Sequence, residues 1–170
     1  MPRRKLWKRP AERPRTTVPA PISIRPATDA DLERLLKLYV QLSPGNAETA
    51  LESARPALAE VLAAPHIHLL VAESGGTVVG TVTLVLVPNL THNGAPWAQV
   101  ENMVVVESLR GSGIGRALID ECLRIAKDHG CYKVQLQSGN QRREGPNDAH
   151  AFYRSLGFQP SSVGFRYYFD

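Results

Sequence analysis

Val100-Glu-Asn-Met-Val-Val-Val-Glu-Ser-Leu-Arg-Gly-Ser-Gly-Ile-Gly-Arg-Ala-Leu-Ile119 is the stretch whose reading decides the fold. With Ala98 and Gln99 before it, the run up to Val106 has strand composition. Gly113 to His129 then carries Ile114, Leu118, Cys122, Ile125 and Ala126 at helical spacing until Gly130 stops it. The order is strand, glycine-rich turn, helix. In the turn, Gly111, Gly113 and Gly115 let the backbone bend tightly, and unpaired N–H groups at the helix start can face an anion. The turn is not a P-loop, because GxxxxGK[ST] is absent. It is not the dinucleotide fingerprint either, whose third small residue, counted from Gly111, falls on Arg116. Arg110 and Arg116 add two guanidinium forks to the backbone donors, so a pyrophosphate suits the turn better than a single carboxylate.

Upstream of this unit, Ile22-Ser-Ile24 alternates as a short strand. Thr28-Asp-Ala-Asp31 then offers a helix N-cap, followed by Leu32, Leu35, Leu36 and Tyr39 on one helical face. Ser43-Pro-Gly-Asn46 breaks that helix. A second helix is expected over Ala47 to Ala64, with Leu51, Leu58, Val61 and Leu62 apolar and Pro56 bending or splitting it. Ile67 to Glu73 and Thr77 to Val87 read as strands joined by a tight hairpin at Ser74-Gly75-Gly76, and Pro88 to Pro96 as a polar loop. Downstream, Tyr132 to Gln137 alternates as another strand, Asn147 to Leu156 forms a short helix stopped by Gly157, and Ser162 to Phe169 is expected to close the chain as an aromatic strand. The predicted order is β-α-α-β-β-β-α-β-α-β.

The 170 residues, 43% of them hydrophobic, are enough for one domain with a substantial core. The net charge of +4 is uneven. Seven Lys and Arg against the single acid Glu12 give the first 20 residues +6, and thirteen against fifteen acids leave the other 150 at −2. The basic balance therefore belongs to a Pro-rich arm, residues 1–21, expected to be flexible, and residues 22–170 form the folded domain. The arm is either a contact for nucleic acid or another anionic surface, with Trp7 available for stacking, or a solvated extension. No apolar run approaches the roughly 20 residues of a membrane span, and the basic start is not followed by the apolar stretch of a secretory signal. A cytoplasmic protein without membrane partners is expected. Cys122 and Cys131 have neither CxxC spacing nor His neighbours at zinc-ligand spacing, so they are expected to be structural thiols, and no metal is expected.

The segment Val100–Ile119 resembles motif A of the GNAT superfamily of acetyl-CoA-dependent N-acetyltransferases, Arg or Gln, two residues, Gly, one residue, Gly or Ala, here filled by Arg110, Gly113 and Gly115. Asn147-Asp-Ala-His-Ala-Phe-Tyr-Arg-Ser-Leu-Gly-Phe158 resembles the family's second signature, a helix with an Asn and a Phe-Tyr pair before a Leu-Gly-Phe stop. Both lie in the right order, and the resemblance covers residues 22–170. It implies an α+β, three-layer α/β/α fold with helices on both faces of a twisted, mixed, mostly antiparallel sheet. The sheet splays between its fourth and fifth strands, here Ala98 to Val106 and Tyr132 to Gln137, with a bulge in the fourth. It also implies acetyl-CoA as co-substrate in that split. The amides of Met103, Val104, Val105 and Val106 would hold the pantetheine arm and polarise the thioester carbonyl. Arg110, Gly111, Ser112, Gly113, Ile114, Gly115 and Arg116 would hold the pyrophosphate, and Asn147 and Tyr153 match positions that touch CoA.

Acetyl transfer to an amine needs a free lone pair, whereas a lysine-like amine with a pKa near 10.4 is protonated in neutral water. By the resemblance Glu101 is the candidate base or amine anchor, ahead of Glu107, and Tyr153 is the candidate acid or hydrogen-bond donor for the departing sulfur. Phe152 reads as core. Among the histidines, His92 lies in the loop before the fourth strand, His66 and His68 share one strand face, and His150 sits one helical turn from Tyr153.

The family builds its acceptor site from three connections, here Leu42 to Glu48, Pro88 to Trp97 and Ser138 to Asp148. Arg142 and Arg143 in the last would suit a phosphate or carboxylate on the acceptor. Gly130-Cys-Tyr-Lys-Val134, with Glu101-Asn102 before Val104, is similar to glucosamine 6-phosphate N-acetyltransferases, while the Ser138 to Asp148 connection is longer than theirs and departs from it. Three readings stand: an acetyltransferase for a small-molecule amine, one for a protein lysine or N-terminus, and a non-catalytic acetyl-CoA-binding module whose arm docks on nucleic acid. A homodimer through Phe165, Tyr167, Tyr168 and Phe169 is a further expectation, beside burial of the same aromatics within one subunit.

Overall fold

The computed structural model describes residues 21–42, 49–139 and 149–169. β1 (Ile22–Pro26) leads through a 3-10 turn, Asp29–Asp31, into α1 (Leu32–Leu42). The turn is fixed by Asp31, whose Oδ2 accepts from both the amide and the hydroxyl of Thr28 at 2.8 and 3.0 Å and which also takes the two-pronged fork of Arg25 at 2.8 and 2.9 Å. A buried carboxylate is tolerable here because each oxygen is bonded, and the Arg25 fork, helped by Thr28, holds its pKa down at about 2.

α2 (Leu51–Ala63) runs through Pro56 as one helix, so it is not split there. Pro56 falls within two turns of the helix start, and its missing N–H costs only the bond to Glu52 there. β2 (Ile67–Ser74) and β3 (Thr77–Val87) follow as a hairpin whose turn, Gly75-Gly76, has φ of 57 and 75°. β4 (Trp97–Val105), α3 (Ile114–Asp128), β5 (Val134–Leu136) and α4 (Ala149–Ser155) complete the described order.

The five strands lie in sequence order, β1 to β4 antiparallel and β4 to β5 parallel. Side-chain alternation divides the core. Leu70 and Ala72 of β2, Val82, Leu84 and Leu86 of β3, and Ala98 and Val100 of β4 pack with Ile114, Leu118, Ile119 and Cys122 of α3. Leu69, Val71 and Val78 pack on the other face with Leu35 and Leu38 of α1 and Leu58 of α2. This is the three-layer, mixed, mostly antiparallel α+β arrangement the sequence predicted. α3 packs closely on Gly80: a Cβ there would lie 3.2 Å from Ile114 Cγ2 and from Val104 O and 3.3 Å from Leu118 Cδ1.

One predicted element is absent. Ser162 to Phe169 forms no strand, and Phe165, Tyr167 and Phe169 are 83–91% exposed. An alternating aromatic segment becomes a strand only when a ladder partner accepts it, and this one pairs with no strand among the described residues, meeting the fold through Arg166 Nη2 and Gln137 Oε1 at 3.4 Å. Burial of these aromatics within the subunit is thereby ruled out among the described residues. Both cysteines are free, and burial pushes the Cys122 thiol up to about 12, as suits an inert structural thiol.

Candidate active site

Pairing between β4 and β5 covers only Ala98 with Val134, Gln99 with Gln135 and Val100 with Leu136. Beyond Val100 the two parallel strands part, so β4 continues to Val105 with one edge open. The same stretch contains a bulge. Thr83 pairs with Glu101 but Thr81 with Val104, so β4 carries one extra residue there, and Asn102 takes the left-handed φ of 53°. The extra residue reverses the alternation: Ala98 and Val100 face α3 before it, Val105 faces α3 after it, and Val104 turns to the α1 side. Met103 packs with the α3-side core.

At the end of β4 the chain passes a 3-10 turn, Glu107–Leu109, and reaches the glycine turn. Gly111 and Gly113 have φ of 80 and 92° with open space where a Cβ would sit, so backbone conformation rather than crowding requires glycine. Gly115 is different: a Cβ would lie 2.9 Å from Met103 Cε and 3.2 Å from Phe152 Cζ, which places β4, α3 and α4 against one another at this point. The Ala117 amide makes the first intrahelical bond, to Gly113 O at 3.0 Å. The amides from Gly113 to Arg116 therefore face out of the helix start, as an anion would require. Ser112 Oγ is bonded to Leu109 O at 2.6 Å and shapes the turn. Arg110 lies along the open edge, its Nε donating to Val105 O at 3.3 Å, with Glu107 3.9 Å from Nη1, and Arg116 is exposed.

Of the four amides expected along the split, that of Val106 donates to Val79 O at 2.9 Å. Strand alternation turns the Val105 amide to the open edge, the side on which Arg110 meets the Val105 carbonyl. Tyr153, on α4, belongs to the α3 side: its phenol donates to Met103 Sδ at 3.5 Å, and its ring meets Phe152 and Phe158 edge to face at 5.1 and 5.9 Å.

Glu101 stands on the opposite sheet face. It alternates with Ala98 and Val100, is exposed, and accepts at Oε1 from Gln99 Nε2 at 2.7 Å; Gln99 Oε1 in turn accepts from Gln135 Nε2 of β5 at 2.9 Å. On the same face Tyr39 of α1 reaches the hydroxyls of Thr81 and Thr83, and burial pushes its phenol pKa up. Thr81, fully buried, donates to Leu70 O at 2.8 Å. A cavity of about 660 Å³ lies beside this row, bounded by Leu36, Lys37, Tyr39, Val40, Leu51 and Asn102 among others. Gln99, Gln135 and the two threonines were not singled out in the sequence, and Tyr39 was read only as part of a buried helix face. The only signal there was that Gln99 and Glu101 are two apart on one strand.

The remaining candidates divide. His92 is stacked on Tyr132 at 3.9 Å, beside Lys133, which lies over the rings of Trp97 and Tyr132. This cluster is at the start of β4, about 15 Å along the strand from the bulge at roughly 3.3 Å per residue, so His92 is not brought to the split. His150 Nε2 lies 3.2 Å from Gly139 O and ties α4 to the chain leaving β5. His68 meets His129 edge to face at 5.6 Å, away from the β4–β5 seam, and burial followed by the charge of His129 lowers its pKa. Among the described residues no group of three or more His, Cys, Asp or Glu could hold a metal. Asn147, Arg142 and Arg143 lie outside the described residues.

An open strand edge, a turn of outward amides flanked by two arginines, and polar residues on both faces of the seam suit a long ligand ending in phosphates, with its reactive end at the bulge. The chain matches the acetyltransferase (GNAT) family over residues 32–158 and belongs to it. It is 30% identical over 138 residues to glucosamine 6-phosphate N-acetyltransferase of Trypanosoma brucei brucei, covering 81% of this chain and 89% of that protein. It is 32% identical over 148 residues to the N-alpha-acetyltransferase RimI of Mycobacterium tuberculosis, covering 87% and 85%. A solved structure from Agrobacterium tumefaciens, assigned to the acetyltransferases, superposes with a TM-score of 0.79 at 40% identity, covering 86% of this chain and 99% of that one. The protein is an acyltransferase that uses acetyl-CoA. No helix of the described residues is long and apolar enough to cross a membrane.

Proposed function

We propose that the protein transfers acetyl from acetyl-CoA to a primary amine of a small molecule by direct attack in a ternary complex, with Glu101 as base and Tyr153 as acid. The observation that carries this reading is the placement of the two groups on opposite faces of the sheet beside the β4–β5 split, Glu101 on the α1 side and Tyr153 on the α3 side. The amine adds to the thioester carbon and the sulfur leaves from the same tetrahedral carbon, so a proton acceptor and a proton donor held apart can serve the nitrogen and the sulfur separately.

Acetyl-CoA, when bound, supplies an acetyl group activated as a thioester. The open-edge amides of β4 beyond Glu101, with that of Val105 foremost, bind along the ligand's arm and stabilise charge building on the carbonyl oxygen. The amides from Gly113 to Arg116 with Arg110 and Arg116 hold the phosphates. Glu101 takes the proton from the amine nitrogen, directly or through water, and Tyr153 Oη delivers one to the sulfur. Asn147 on the cofactor side and Arg142, Arg143 and His92 on the acceptor side, the last for the far end of an extended acceptor, remain part of the reading.

A protein α-amine or lysine acceptor is the second reading, favoured by the similarity to RimI over 87% of the chain. The non-catalytic binding module is disfavoured by the same pair, Glu101 and Tyr153. The division into an arm, 1–21, and a catalytic domain, 22–170, a cytoplasmic location, and a homodimer through the exposed Phe165, Tyr167, Tyr168 and Phe169 complete the proposal.

The test is release of free CoA thiol from acetyl-CoA against a panel of amino sugars and their phosphates, aminoglycosides, aminoalkylphosphonates, polyamines and peptides, with Glu101→Gln as control. Turnover with one chemical class, lost in the control, supports the reading. Turnover confined to peptides replaces it with the second reading, and an unaffected control removes Glu101 as base.

A further inference from the structure

Gln135 and Gln99 hold more than the seam together. They are opposite one another in the β4–β5 register, at the middle of its three pairs, and their side chains are bonded in series to Glu101: Gln135 Nε2 to Gln99 Oε1 at 2.9 Å, then Gln99 Nε2 to Glu101 Oε1 at 2.7 Å. The sense of this chain follows from charge. An ionised carboxylate only accepts, so Gln99 must turn its NH₂ toward Glu101 and its oxygen away from it. That oxygen then needs a donor, and Gln135 supplies one from the far side of the seam. Each amide thus has its orientation dictated by the next, with Glu101 setting the direction at one end and β5 anchoring the other.

We propose that Gln99 and Gln135 form a directional amide relay across the β4–β5 seam that orients the Glu101 carboxylate for proton abstraction. Both are positioning residues, acting through Glu101, and the inference rests on the reading of Glu101 as base. Glu101 is exposed and follows the last paired residue, Val100, so without the relay its side chain is free to sample rotamers that miss the amine. On its other flank the nearest strand neighbour is Thr83, whose hydroxyl is engaged by Tyr39. The Gln99 amide is thus the group that fixes Glu101 along the strand. The relay also makes the base sensitive to the seam: opening of β4 from β5 past the Val100–Leu136 pair breaks the Gln135 bond and frees Gln99 to turn.

Methionine is close to glutamine in length and lacks its amide, so Gln99→Met and Gln135→Met remove the relay with little change in shape. Two measurements test it on the full chain. The first needs no substrate: in ¹⁵N-edited spectra Glu101→Ala is expected to shift the side-chain NH₂ signals of both Gln99 and Gln135, and in a Gln99→Met background no longer to move that of Gln135. A Gln135 signal indifferent to Glu101→Ala in the otherwise unchanged protein overturns the relay.

The second is a double-mutant cycle on CoA release with the acceptor that the panel identifies. Each Met variant is expected to lower kcat about tenfold with KM for acetyl-CoA unchanged, and neither to lower it further once Glu101 is Gln. Additive losses in the Glu101→Gln background, or no loss in Gln135→Met, overturn the role while leaving Glu101 as base. An unimpaired Glu101→Gln removes both the base and any purpose for the relay.

Discussion

The phenol of Tyr153 donates to the thioether of Met103 across 3.5 Å, joining α4 to the bulged stretch of β4. A thioether is a weak acceptor, so this bond costs little to exchange. The residue proposed to protonate a departing sulfur already faces a sulfur at the mouth of the split.

Tyr153→Phe is expected to lower turnover by about 10²–10⁴, the range for loss of a positioned acid, with the dissociation constant for acetyl-CoA nearly kept because the ring contacts with Phe152 and Phe158 survive. CoA release and calorimetry on one preparation read the two quantities. An unchanged rate across the pH range takes Tyr153 out of the mechanism.

Arg116 is exposed in the first turn of α3. Its replacement by Ala is expected to weaken acetyl-CoA binding about tenfold or more, the scale of one charge-assisted hydrogen bond to phosphate. Binding of acetyl-pantetheine, which lacks the pyrophosphate, stays unchanged. Equal weakening of both ligands would place Arg116 elsewhere than on the phosphates.

Gly80→Val places branched carbon against Ile114, Leu118 and the Val104 carbonyl, where even one methyl is tight at 3.2–3.3 Å. The expected cost is about 1–3 kcal/mol, seen as a lower midpoint in urea. Because the clash pushes α3 away from β4, acetyl-CoA affinity is expected to fall as well. A stable variant with full affinity would show that helix and strand separate without consequence for the turn.

Asp31 has a pKa lowered from 3.8 to about 2, chiefly by Arg25. A carboxyl with a depressed folded-state pKa stabilises the fold above its unfolded value and loses that contribution as pH falls through the folded one. The window here is from about pH 4 down to about pH 2. Asp31→Asn is expected to cost about 2 kcal/mol at neutral pH, with the difference from the unaltered protein closing across that window in thermal melts. A gap independent of pH would assign the effect to the Thr28 bonds rather than to charge.

Much of the fold was legible because local chemistry and tertiary need coincide. The apolar spacing of Leu32, Leu35, Leu36 and Tyr39 and of Ile114, Leu118 and Cys122 matches the two cores, and Gly75-Gly76, Gly111 and Gly113 sit where positive φ is required. The bulge was legible only by resemblance: Met103 to Val106 is apolar at every position, so the switch of faces between Val100 and Val105 leaves no mark on the pattern. The aromatic alternation of Phe165, Tyr167 and Phe169 misled because period-2 composition says what a strand needs, not whether a neighbour is there to provide it. Gln99 and Gln135 were invisible for a related reason. Their contact depends on the register of two strands separated by all of α3, and nothing local to either glutamine encodes it.

The extra residue in β4 makes the length of that strand as constraining as its composition. Loss of one codon between Glu101 and Val104 would leave one residue between them opposite Val82, keeping Val104 and Val105 on their present faces but erasing the bulge and the kink that Asn102 provides. Conservative replacements of the valines keep the bulge, whereas that deletion does not. Redesign that is to keep the open kink therefore works by substitution here, with changes of length made in the connections on either side.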